Sequence, residues 1–106
     1  QMIGRAITNW QSDKKIAICA SGGVSHFVID EEFDHRILKA MQDDDVQTLF
    51  DEPNDMFRSG TSETKNWLVT AGIMSVTDLK MNLLDYVPCY RSDAGTGNAM
   101  AFATWT

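Results

Sequence analysis

The chain has 106 residues, 43% of them hydrophobic and 23% charged, which is the make-up of a single soluble globular domain. Fifteen acidic against nine basic residues leave a formal net charge of −6 and a pI near 4.6. That balance repels phosphate backbones and anionic lipid surfaces, so it disfavours nucleic acid and membranes as partners. No apolar stretch approaches the roughly 20 residues that span a bilayer.

In chain order, Ile3, Ala6, Ile7 and Trp10 fall at helical spacing and predict an amphipathic helix already running at the first residue, as in a piece of a longer protein. Asp13-Lys14-Lys15 reads as a polar turn. Ile16 to Ala20 is a continuous apolar run without alternation, the pattern of a strand covered on both faces, and Ser21-Gly22-Gly23 ends it. Phe27-Val28-Ile29 is a second apolar patch, too short to assign. Asp30 is an N-cap, followed by Glu31 and Glu32 at the positive end of a helix whose apolar stripe is Phe33, Ile37, Ala40 and Met41. Asp43-Asp44-Asp45 reads as a solvated helix end, because no Gly or Glu follows at calcium-loop spacing.

Residues 46–50 predict another short helix, and 51–60 a loop. Thr61 or Ser62 is expected to cap a further helix with Trp67, Ala71 and Met74 on its apolar stripe. Leu79 to Arg91 reads as extended chain near a sheet edge, with Pro88 in it. Residues 92–98 are a glycine-rich loop and 99–105 a final strand. A strand, then helices, then extended segments suggest an α/β (or α+β) fold with part of a mixed sheet flanked by helices. Cys19 and Cys89 form neither a CxxC pair nor a disulfide framework. They are expected to be small buried hydrophobes in a reducing, cytoplasmic setting.

Two groups could carry chemistry. His26 follows glycines at the end of an expected strand, where α/β proteins place reactive groups, and an imidazole with an unperturbed pKa of about 6.5 can take and give protons. The plain alternative is a hydrogen-bonded structural histidine. Glu63 stands four residues before Trp67 and so shares its helix face; there a carboxylate must be paired, hydrogen-bonded or metal-bound if it is buried. The helix dipole is by itself a sufficient structural reason for it. His35, inside the predicted second helix, reads as a surface residue. AGTGNAM lacks the third glycine of a dinucleotide fingerprint and reads as a tight turn.

Three segments in order, IAICASGGVSHFVIDEEFDHRILKAM, SETKNWLVTAGIM and YVPCYRSDAGTGNAMAFATW, resemble the class III extradiol ring-cleaving dioxygenases. The chain is most similar to the carboxyl-terminal half of a catalytic subunit of the protocatechuate 4,5-dioxygenase type, including the gallate-cleaving branch. The resemblance implies that His26 is an active-site acid/base outside the metal shell. It also implies that Glu63 is the carboxylate of a two-histidine-one-carboxylate triad holding Fe(II). Substrate and dioxygen would be a catecholic acid and O2. The two iron-binding histidines of that pattern come from an amino-terminal half that these 106 residues do not contain, or from a partner subunit, and His35 matches neither. Ser25, in the SH pair, is expected near the substrate; Arg91, whose guanidinium fork suits a substrate carboxylate, is expected either there or, the favoured reading, in a surface ion pair. Apolar surface left open by a half-domain would favour an oligomer. The competing expectation is a metal-free homologue serving assembly.

Overall fold

In the computed structural model, which describes residues 1–106, Asp30 starts the principal helix. Its Oδ1 accepts the Phe33 N–H at 2.9 Å, satisfying an amide that has no partner inside the helix. Helix α2 then runs Glu31–Gln42. The predicted stripe of Phe33, Ile37, Ala40 and Met41 is buried, joined by Leu38. The three aspartates after it face three ways. Asp43 ends α2 and pairs with Lys39, Asp44 meets Lys80 at 2.5 Å, and Asp45 caps helix α3, Val46–Asp51, through the Thr48 N–H.

Residues 54–57 and 59–63 wind into 3-10 turns, and helix α4 follows as Thr64–Met74. The expected cap at Thr61 or Ser62 is corrected, since both lie inside the second tight turn and Glu63 occupies the N-cap position. The buried line of α4 is Thr64, Trp67, Thr70 and Ile73; Ala71 and Met74 are only half-buried. That line faces the two segments covering α4: residues 21–23 at its start and the first helix, α1 (Met2–Thr8), at its end. The stripe predicted for α1 is also corrected. Gly4 is its one buried residue, sitting against the Ile73 carbonyl, while Ile3 and Trp10 are exposed.

Strand β1 is His26–Val28, β2 is Met81–Tyr90 and β3 is Thr96–Trp105, in the sheet order β1-β3-β2 with both pairings antiparallel. The fold is thus α/β, with an antiparallel sheet where a mixed one was expected, because β2 and β3 form one hairpin and β1 returns along the free edge of β3. The glycine-rich loop is shorter than 92–98: Gly97 and Asn98 are already paired in β3. Pro88 sits on edge strand β2, as its missing N–H requires. A bulge between Leu83 and Asp85 resets the register.

The run Ile16–Ala20 is not a strand. It makes no backbone hydrogen bond and Ile16 is exposed, because no segment of this chain lies alongside to pair with it. The radius of gyration, 14.7 Å, exceeds the roughly 13 Å typical of a chain this long. Both cysteines are exposed, against expectation. Cys19 belongs to that unpaired run, and the pleat turns Cys89 outward with its partner Asn98.

One core fills the space between α2, α4 and the inner sheet face, built from Val24, Ile29, Phe33, Ile37, Trp67 and Ala99 among others. Phe33 is 1% exposed and meets Phe57 edge-on at 5.6 Å between ring centroids. Phe33→Ala should therefore destabilise the fold by about 3–5 kcal/mol, read as a shift in the urea midpoint followed by circular dichroism. No change in that midpoint would refute this account of the core.

Candidate active site

The segment that delivers the histidine is held by one face of α4. Asn66 Nδ2 donates to the Ser21 carbonyl at 2.7 Å, and Trp67 Nε1 donates to the Gly22 carbonyl at 3.1 Å. The Gly23 N–H donates to Glu63 Oε2 at 3.2 Å. Positions 63, 66 and 67 share a helix face by their spacing, so NW and the glutamate before it grip three successive residues. Val24 N–H then donates to the Ala99 carbonyl, and Ala99 N–H donates back to the Ser25 carbonyl, joining the segment to β3.

His26 opens β1 opposite Asn98. Its N–H donates to Thr61 Oγ1 at 3.1 Å, and its ring is pinched between two glycines. A Cβ on Gly60 would stand 2.4 Å from His26 Cβ, and one on Gly23 would stand 2.7 Å from Nε2, so neither position accepts a side chain without moving the imidazole. The next residue, Phe27, has φ +69°, a region that bulky residues seldom enter and that the surrounding structure must enforce.

His26 Nε2 lies 3.5 Å from Glu63 Oε2, with the side chains 16% and 46% exposed. His26 borders an open cleft of about 310 Å³ whose wall is Gly22, Gly23 and His26, and whose floor is the outer sheet face at Asn98, Met100 and Phe102; Glu63 stands behind that wall, on the Gly23 N–H. Glu63 Oε2 is occupied by the Gly23 N–H and the imidazole, whereas Oε1 makes no hydrogen bond. The pair can therefore bind and pass a proton beside a carboxylate oxygen that is free to take a further partner.

The other expected site residues lie elsewhere. Ser25 is buried: its N–H and hydroxyl donate to Asp34 at 2.9 and 2.6 Å, and its Oγ accepts the Asp30 N–H at 3.0 Å. Arg91 is exposed at the β2–β3 turn, its N–H on the Thr96 carbonyl, and does not line the cleft. His35 is exposed, its ring tilted 56° against that of Tyr86 with centroids 4.5 Å apart. A larger apolar hollow of about 630 Å³ opens among the helices, lined by Met41, Leu49, Phe50, Leu68 and Ile73, away from both His26 and Glu63.

Inspection of the sequence missed Gly60, Thr61, Asn66 and Asp34. The paired glycines and the Glu-Asn-Trp spacing carried a signal for the clamp; nothing local distinguishes Gly60 or Asp34 from ordinary turn and helix residues. Burial raises the Asp34 pKa above the usual carboxylate value, opposed by the Ser25 and Tyr86 hydrogen bonds. Tyr86 is raised well above an ordinary phenol, first by burial and then by donating to Asp34 at 2.7 Å.

Glu63 offers one hard oxygen donor of the kind a divalent or ferrous ion accepts. No three His, Cys, Asp or Glu side chains converge as a metal cage. The residues present therefore fit a metal as one corner of its shell and no more.

A family profile described as the catalytic LigB subunit of aromatic ring-opening dioxygenase matches residues 1–97. The chain belongs to this family of aromatic ring-opening dioxygenases, and the matched stretch contains His26, Glu63 and the clamp between them. No curated protein and no solved structure matches the chain.

Gly60→Ala should push the imidazole off Glu63 and destabilise by about 1–3 kcal/mol. The checks are the urea midpoint and the nuclear Overhauser contact between the His26 ring and Glu63; an unchanged contact would contradict the tight packing. Asp34 gives a second expectation. Because its folded pKa is raised, the folded state keeps a proton that the unfolded state releases between the ordinary value and the raised one. Its contribution to stability is greatest below that window and declines as pH rises through it. Relative to Asp34→Asn, the wild-type melting temperature should fall as pH climbs through the window, and a constant gap at every pH would contradict the burial effect.

Proposed function

We propose that the chain forms part of a non-haem Fe(II)-dependent extradiol dioxygenase that opens the ring of a catecholic acid such as protocatechuate or gallate. It would supply one iron ligand, Glu63, and the proton-transfer residue, His26. The observation that carries this reading is the approach of the imidazole and the carboxylate, 3.5 Å apart, with the imidazole on the wall of an open cleft, in a chain of the ring-opening family. Two further ligands, histidines on the family resemblance, would come from an amino-terminal half or a partner subunit. The exposed apolar side chains of Met100 and Phe102 beside the cleft suit such an assembly.

When bound, Fe(II) would make the ring hydroxyls more acidic and supply the redox chemistry that O2 needs. Glu63 would hold it, with Oε1 the oxygen not used by the Gly23 N–H. His26 Nε2 accepts a proton from a ring hydroxyl and returns it as the ring opens beside the diol, giving a hydroxymuconate semialdehyde-type acid that holds both oxygen atoms of O2. The clamp on residues 21–23 keeps the two groups in register during that exchange. The Asn98–Met100–Phe102 floor gives the ring an apolar surface to lie against.

Anaerobic Fe(II) titration and oxygen uptake with a panel of catecholic acids, run on the complete enzyme, test this. Glu63→Ala should lose iron. His26→Ala should keep iron and lose about 10²–10⁴-fold in kcat. These 106 residues alone should neither retain Fe(II) nor consume oxygen. Normal turnover by both variants would end the residue assignments, and a complete protein without iron or oxygen uptake would leave an assembly role.

A further inference from the structure

Asp34 is the one charged side chain in the chain that is wholly buried. It lies in the first turn of α2, yet Asp30 already caps that helix. Instead of serving its own helix, Asp34 reaches back nine residues to Ser25, taking the Ser25 N–H on Oδ1 and the Ser25 hydroxyl on Oδ2. Tyr86, from β2, donates to the same Oδ2 at 2.7 Å. Three donors and no acceptor suit an ionised carboxylate, and a buried carboxylate lacking such donors would be strongly unfavourable.

The consequence falls on the residue after Ser25. The peptide group entering Ser25 is fixed by Asp34. The next one, between Ser25 and His26, is fixed at its carbonyl by the Ala99 N–H and at its N–H by Thr61 Oγ1. With both planes set, the direction of the His26 side chain is set before the imidazole meets any partner of its own.

We propose that Asp34 is a positioning residue: acting through Ser25, it aims the His26 imidazole at Glu63, touching neither substrate nor metal. This rests on the reading of His26 and Glu63 given above. The arrangement explains why a buried carboxylate stands where an apolar residue would pack more favourably. An amide of equal size cannot replace it. Asn Oδ1 can accept the Ser25 N–H, but Nδ2 cannot accept from the Ser25 and Tyr86 hydroxyls.

The test compares Asp34→Asn and Ser25→Ala with the wild type, and with Ile37→Val as a core control remote from the cleft. In the complete enzyme, Asp34→Asn should lower kcat per bound iron about 10- to 100-fold, the scale on which small misplacements act. KM and iron content should stay within about twofold. Ser25→Ala should move kcat in the same direction, and Ile37→Val should lose thermal stability with kcat per iron unchanged. In parallel, the Overhauser contact between the His26 ring and Glu63 should weaken in both site variants and persist in the control.

If Asp34→Asn melts earlier but keeps its kcat per iron, the residue is merely structural and the proposal is overturned. If Asp34→Asn does not fold, Ser25→Ala decides by the same criteria. If the wild type itself takes up no oxygen with any catecholic acid, the functional reading fails. The Overhauser comparison then decides the positioning role alone, an unchanged contact overturning it.

Discussion

The site depends on a grip between a helix start and a glycine turn. Glu63, Asn66 and Trp67 hold Ser21, Gly22 and Gly23 with three hydrogen bonds, two of them given by α4 and one received by it. These bonds join parts of the chain some forty residues apart, and without them a three-residue strand such as β1 would have little to fix its approach. The glycines are needed for proximity as much as for turning. Side chains at Gly23 or Gly60 would occupy the space that the imidazole fills. The carboxylate thus does two things at once: Oε2 completes the clamp and faces His26, while Oε1 is left for another partner.

A second layer of polar bonds lies beneath that grip. Asp34 connects α2 to the segment before His26 and, through Tyr86, to β2. Burying a charge this deeply is unfavourable unless every oxygen is satisfied, and here three donors come from two separate segments, the turn at Ser25 and strand β2. Such a junction specifies one arrangement of helix, turn and sheet more sharply than apolar contacts do, since a slip of one residue would strand the carboxylate without donors. The apolar core around Phe33 supplies the bulk of the cohesion, and the Asp34 junction decides the register in which it packs.

Local signals made much of this legible in the sequence. Asp30, the stripe of α2 and the helix-end roles of Asp43 and Asp45 all act through near neighbours, so spacing alone announces them, whereas Asp44 pairs with the distant Lys80. The hairpin was legible as two extended segments, though the glycine-rich loop was read too long because glycine marks permissive backbone without saying whether that backbone is paired. What spacing could not show is what lies across the fold. Thr61 and Gly60 reach His26 only because a 3-10 turn ends beside it. Ser25 looked like a substrate neighbour because it precedes the histidine, yet consecutive residues of an extended chain point to opposite sides, and Ser25 points inward to Asp34.

The run Ile16–Ala20 shows the limit of composition from the other direction. Its apolar pattern is that of a strand covered on both faces, but a strand forms only where a neighbour accepts its hydrogen bonds, and within these 106 residues none does. The run leads directly into the clamped turn, so the least paired stretch of backbone adjoins the most tightly held one. On the proposed reading the two features belong together. A segment pairing along Ile16–Ala20 would run on into the turn that Glu63, Asn66 and Trp67 hold, next to His26. Such a pairing would give Ile16–Ala20 the neighbour on which its apolar pattern depends, and it would bury the run in the same step.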